Sequence, residues 1–320
     1  METWKRLGKW ISANMVFIVP LCILVGVLWP QLLIPLRPAI PTLFAVVTFQ
    51  NALGNDFESI GQTLRKPLPL LLTVGLIHVA APIVVRLIAG LLFGADPDTV
   101  VGLVLEASVP VGATTVMWSG VYGGNVALAL TMMFVSTILA PFSIPWTLKL
   151  LCGASVEVDV MGMMGDMLYM VAIPAVIGVV YNQLSHGRGK EELSPVMAPL
   201  SSILVPIIIA TNATGISQYV LNLTPRLVAV AAFVACLTAL SILVGGAVAR
   251  ATRQSDDVMI TMMFDCGIRN ISAGAVLAAA YLPAGALFPV MIGTLFQQLF
   301  AAIVGKAMLR RTQAKAGQEV

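Results

Sequence analysis

The stretch Val258–Tyr281, VMITMMFDCGIRNISAGAVLAAAY, decides the fold. It is apolar and long enough to span a bilayer, yet Asp265, Gly267, Arg269 and Asn270 sit at its middle. A lipid-facing carboxylate or guanidinium at the bilayer centre costs about 2.5–3.5 kcal/mol even on insertion scales. These side chains are therefore expected to face protein or a water-filled cavity. Gly267 weakens the helix at the same point, and a helix that opens there exposes amides and carbonyls that only a cavity, an ion or a partner segment can satisfy. Helices broken at the midplane mark the binding sites of secondary transporters. The plainer reading is that Asp265 and Arg269, four residues apart, form a buried pair that staples a bundle.

Composition places this stretch in a polytopic membrane protein: 58% of residues are hydrophobic, 10% are charged and the mean hydropathy is +0.95. At ~20 residues per span, 320 residues hold about ten helices and leave no room for a soluble domain. The opening METWKRLGKW is read as leading into a retained first span, since no small-residue cleavage site follows Trp29-Pro30. Cys22, Cys152, Cys236 and Cys266 are scattered without a CxxC and imply neither a disulfide framework nor a metal site. The net charge of +3 says little about partners, since the basic residues mostly flank helices; the lipid bilayer is the expected partner, and no nucleic acid is expected.

Apolar runs bounded by charge, Pro or Gly predict spans at 11–29, 38–54, 68–93, 100–122, 125–151, 160–183, 197–219, 226–249, 257–281 and 284–308. With both termini cytoplasmic, only Arg37, Arg86, Lys149 and Arg226 of the eighteen Lys and Arg fall outside, and Arg269 lies in the membrane. That asymmetry obeys the positive-inside rule and fits a multi-pass protein of the plasma (inner) membrane. Five spans precede the polar 152–159 connection and five follow it, so a duplicated half, 1–151 against 152–320, would insert upside down as an inverted repeat. Asn51-Ala52-Leu53-Gly54 near the end of span 2 recurs as Asn212-Ala213-Thr214-Gly215 in span 7, and Pro20 in span 1 parallels Pro174 in span 6.

The repeat makes span 4, VVGLVLEASVPVGATTVMWSGVYGG, the partner of span 9, and it too looks broken. Pro110 removes a backbone hydrogen bond, Gly112 is permissive, and Thr114, Thr115 and Ser119 follow as candidate substrate contacts. Those hydroxyls could equally satisfy freed backbone groups. Glu106 is a second carboxylate inside the run, and His78 in span 3 completes the titratable set, either as a satisfied core residue or as a proton carrier. Arg86 is expected to snorkel, and Asp166 to sit near the start of its helix, where the dipole favours a carboxylate.

The run Gly124-Asn125-Val126-Ala127-Leu128, followed by Ser136-Thr137-Ile138-Leu139-Ala140-Pro141, resembles helix 5 of the bile acid/sodium symporter family. Val109-Pro110-Val111-Gly112 is similar to that family's break in helix 4, and Asp265-Cys266-Gly267-Ile268-Arg269-Asn270 to its Glu-x-Gly-x-Gln-Asn break in helix 9. The resemblance implies ten transmembrane helices in two inverted five-helix repeats, with helices 4 and 9 crossing at their breaks. It implies a panel domain from spans 11–54 and 160–219, a core domain from spans 68–151 and 226–308, and organic anions such as bile acids, pantoate or small keto acids as substrates. The family's first sodium site uses side-chain oxygens from helices 4 and 5. Thr115, Val116, Ala129 and Met133 stand at those positions here, and only Thr115 supplies one. At the second site, His78, Asp265 and Arg269 stand where the family has Gln, Glu and Gln, and Arg269 brings a fixed positive charge.

The expected function is therefore transport of a small organic anion by alternating access, with Thr114, Thr115, Ser119, Arg269 and Asn270 as substrate contacts. Asp265, Arg269, His78 and Glu106 are the groups that couple or replace an ion, and Pro110, Gly112 and Gly267 the breaks. No cofactor is expected beyond a coupling ion, sodium or proton; the residues favour independence from sodium, the resemblance a sodium symporter. An intramembrane enzyme is the rival from another class, and the absence of HExxH, GxSxG and an aspartate-rich magnesium motif argues against it.

Overall fold

The computed structural model describes residues 2–65 and 67–316, which form helices throughout, with one isolated β-bridge and no strands among them. Glu2–Ala13 (α1) and Met15–Leu28 (α2) come first. Pro30–Ala52 (α3), Phe57–Arg65 (α4) and Leu68–Phe93 (α5) follow. Next are Pro97–Ser108 (α6), Thr114–Tyr122 (α7), Val126–Cys152 (α8) and Val160–Leu184 (α9). The chain continues with Gly189–Leu221 (α10), Pro225–Ala251 (α11), Asp256–Gly267 (α12), Ile271–Tyr281 (α13) and Ala284–Met308 (α14).

Seven of these described helices, α3, α5, α8, α9, α10, α11 and α14, are long and apolar enough to cross a membrane, and the α1/α2 pair, bent by 79°, is an eighth candidate. Leu91, Leu150 and Leu184 stand more than three-quarters exposed on their outer faces, as residues that meet lipid do.

Three boundaries differ from expectation for local reasons. The chain turns at Asn14, so the predicted 11–29 run is split between the end of α1 and α2, which starts at Met15. Pro30 opens α3 eight residues early, because a first-turn proline lacks only an N–H that would be unpaired anyway. Pro35 and Pro38 then tighten Ile34–Ala39 into a 3-10 stretch. The predicted 197–219 span runs from Gly189 to Leu221.

Packing sorts the helices. α10 lies against α1, α2 and α3, and α9 against α3. The other group joins α5 to α6, α11 to α12, and α14 to α6, α11 and α13. Helices in lipid associate by close backbone approach at small residues, and Gly102 against the Ala286 backbone and Gly245 against the Met262 carbonyl are such contacts. α1 is held on α10 by the Trp4 indole donating to the Val196 carbonyl (2.8 Å), by Gly8 under Pro199 and by a Ser12–Ser202 hydroxyl pair (2.9 Å).

Two single charges have specific partners. Arg86 Nε donates to the Leu151 carbonyl (2.7 Å), tying α5 to the end of α8. Asp159 caps α9, accepting from the Gly162 N–H (2.9 Å), while Asp166, beyond the first turn, accepts from the Tyr281 hydroxyl (2.6 Å).

Candidate functional site

The two interrupted helix pairs meet in the middle of the molecule. α6 ends at Ser108 and Val109 turns extended (φ −62°, ψ 149°), because Pro110 cannot donate the next helical hydrogen bond. α12 ends at Gly267 and Ile268 turns extended in the same way (φ −110°, ψ 109°). Val111 and Arg269 form an antiparallel bridge. The Gly112 N–H donates to the Ile268 carbonyl (2.9 Å) and the Asn270 N–H to the Pro110 carbonyl (2.8 Å). The remaining two amides are taken by side chains: Val111 N–H by Ser136 Oγ (3.1 Å) and Arg269 N–H by Gln297 Oε1 (3.2 Å). Each break thus satisfies the other, as apolar surroundings require.

The glycines act through space rather than flexibility. A Cβ on Gly112 would press on the Arg269 carbonyl oxygen at 2.9 Å, and one on Gly267 would run into Ile242 of α11. The helix ends at Gly267, where it was expected to give way, and the missing side chain also lets α12 close against α11.

Asp265 and Arg269 do not pair. The i,i+4 geometry needs a continuous helix, and the extended Ile268 carries Arg269 away from the face that bears Asp265. Asp265 is fully buried, and neither of its carboxylate oxygens has a hydrogen-bond partner. Thr115 and Ser119, four apart on α7 and fully buried, also have hydroxyls without partners. The Thr115 hydroxyl lies beside the Asp265 carboxylate without completing a hydrogen bond. Arg269, also buried, lies within electrostatic reach of Glu106 and His78, and its Nη1 is unpartnered. Glu106 and Arg269 share one turn of α14: Glu106 Oε1 is 3.1 Å from where a Cβ on Gly293 would stand, and Gln297 holds the Arg269 amide.

His78 is the opposite case. A wide π-helical turn at Leu76–Ala80 places it between two serines of α8, with Nε2 on Ser136 Oγ (2.9 Å) and Nδ1 on Ser143 Oγ (2.8 Å). Thr114 is exposed and accepts from Gln298 Nε2 (3.2 Å), whose Oε1 takes the Trp118 indole N–H (2.9 Å). Asn270 caps α13, its side chain accepting from the Ala273 N–H (3.3 Å). The structure therefore gathers Thr115, Ser119 and Asp265 on one side of the crossing, and Glu106, Arg269 and His78 on another.

Sequence reasoning missed Ser136, Ser143, Gln297 and Gln298 as site residues. The signal was there: two serines seven apart share a helix face, and a Gln pair interrupts an apolar run in α14.

Comparison with known proteins adds two kinds of likeness. The chain matches the sodium bile acid symporter family over residues 41–223. It is 35% identical over 301 residues to an uncharacterized protein, YbaS, of Bacillus subtilis (strain 168), covering 94% of this chain and 98% of that one. An uncharacterized sodium-dependent transporter of the same organism, YocS, is 20% identical over 292 residues, 91% of this chain and 89% of that one. The probable sodium/metabolite cotransporter BASS1, chloroplastic, of Oryza sativa subsp. japonica is 28% identical over 184 residues, 56% of this chain and 43% of that one.

Proposed function

Because this chain belongs to the sodium bile acid symporter family, we propose that it carries a small organic anion by alternating access and couples that movement to a proton on Asp265, without requiring sodium. In this reading α2, the seven long helices and the two interrupted pairs make ten crossings, in two inverted repeats divided at 151/152. The group containing α1–α3, α9 and α10 is the panel domain, and the group containing α5–α8 and α11–α14 is the core domain that moves against it. The membrane is the plasma (inner) membrane, with both termini cytoplasmic.

The observation that carries the coupling reading is the bare Asp265 carboxylate. Arg269 faces Glu106, so a charged Asp265 would be an uncompensated buried anion, and burial of an unpaired charge costs several kcal/mol. A proton removes that cost. Val116, Ala129 and Met133 around Thr115 offer no side-chain oxygen to a hard cation, which takes oxygen ligands. The substrate carboxylate would be met at the exposed start of α7, near Thr114, and by Asn270 and Arg269, where helix N-termini favour anions.

A second reading has its own observation. The partnerless oxygens of Asp265 and of Thr115 beside it, with the Ser119 hydroxyl one turn further along α7, are oxygens that a sodium ion could draw on, and the names of YocS and the rice relative specify sodium for those proteins. Uptake of organic acids into proteoliposomes separates the two. Accumulation under an imposed pH gradient, equal in sodium and in choline, is the expected result; accumulation that needs sodium supports the second reading, and no flux of any organic anion removes both.

A further inference from the structure

A polar cleft lies away from the crossing, where α6, α11 and α14 begin. It has a volume of about 480 Å³ and is lined by Asp96, Gln218, Tyr219, Asn222, Arg226 and Phe288 among others, which places it in the size range of small-molecule sites. Its chemistry is lopsided in a specific way. Asp96 has its own duties: it caps α6, accepting from the Thr99 N–H (3.3 Å) and the Thr99 hydroxyl (2.6 Å). The same carboxylate holds Arg226 Nη2 at 2.7 Å. Arg226 nevertheless stays about half exposed, so Asp96 aims the guanidinium while leaving other N–H donors of its planar fork open to the cavity.

Gln218, Asn222 and Tyr219 share the lining with Arg226, and the Tyr219 ring packs on Phe288 (centroids 6.3 Å apart). Asn222 is steadied by donating to the Gln218 carbonyl (3.1 Å). The lining combines one anchored cation, amides able to bind hydroxyls, and an aromatic wall. Gln218, Tyr219 and Asn222 come from α10 and the residue after it, while Asp96, Arg226 and Phe288 come from the other group of helices, so the cavity straddles the seam between the two bodies.

The geometry points to this cavity as a binding site for a hydroxylated monocarboxylate, seated on Arg226 and separate from the crossing. Its role as an antechamber, which the proposed orientation puts on the outer face, rests on the transport reading; the binding does not.

The test uses the full chain with Cys236→Ser, which removes the exposed native thiol, and Leu227→Cys on the cavity wall, labelled by a membrane-impermeant maleimide. Gluconate is the probe, as choline gluconate against choline chloride. Gluconate is expected to slow labelling saturably, on the order of threefold, as occupancy shields the cavity wall. The protection should vanish in Arg226→Gln, persist in weakened form in Arg226→Lys, and remain in Asp265→Asn. Absence of protection overturns the assignment, as does equal protection in Arg226→Gln or loss of protection in Asp265→Asn. Elution of each variant as a monodisperse peak in detergent shows that it is folded, and the lysine variant keeps the test decisive if the glutamine variant is not. Labelling needs no turnover, so a protein that protects but moves no anion sinks the transport reading alone.

Discussion

His78 and Asp265 flank the same crossing, and their surroundings are opposite. Both ring nitrogens of His78 are held by serine hydroxyls, and one of those serines also holds a backbone amide of the break. Asp265 is buried more deeply with no hydrogen-bond partner for either oxygen. A polar group whose hydrogen bonds are complete works as a strut, whereas a buried one left open has its binding capacity in reserve for something that comes and goes. The proposed coupling puts the exchangeable chemistry on Asp265 and leaves His78 an architectural part.

The largest effect that can break this contrast is on Asp265. Asp265→Asn should lower pH-gradient-driven accumulation about tenfold or more, equivalent to ~1.4 kcal/mol or more in the barrier, while substrate exchange without a gradient survives. Full accumulation by a folded Asp265→Asn protein would move the proton elsewhere. Next comes Arg269→Gln, which removes the fixed charge beside Glu106. Substrate affinity measured in sodium and in choline should become sodium-stimulated; affinity lost equally in both salts assigns Arg269 to the substrate carboxylate instead.

Gly267→Ala tests the crossing itself. Its new methyl runs into Ile242, and overpacking of this kind costs about 1–3 kcal/mol, so the melting temperature in detergent should fall. An unchanged melting temperature would show that α11 yields freely at that contact. The smallest effect belongs to His78→Gln. It should cost about 1 kcal/mol for the hydrogen bond it cannot remake and leave the pH response of uptake unaltered; a shifted pH profile would erase the contrast between the two residues.

Much of this was legible in the sequence, for a physical reason. Charge inside an apolar run is so costly that Asp265, Arg269 and Glu106 announce a protein-lined interior, and Pro110 fixes where one helix must stop. The facing of those groups was not legible. A single extended residue, Ile268, turns the spacing of Asp265 and Arg269 from a helical pair into two groups on different sides, and a break expected at Gly267 does not say which way the chain leaves it. The partner of Asp166 was no more legible, because Tyr281 lies 115 residues away. Pro30 and Asn14 moved the first two boundaries, because proline both ends one helix and begins the next.

The joint between the two breaks is made of main chain. Gly112 to Ile268 and Asn270 to Pro110 are amide-to-carbonyl bonds, indifferent to whatever side chains hang from those residues, provided position 112 stays small. A chassis of this kind can be refitted: an arginine or an aspartate can be exchanged at its margins while the frame keeps its shape.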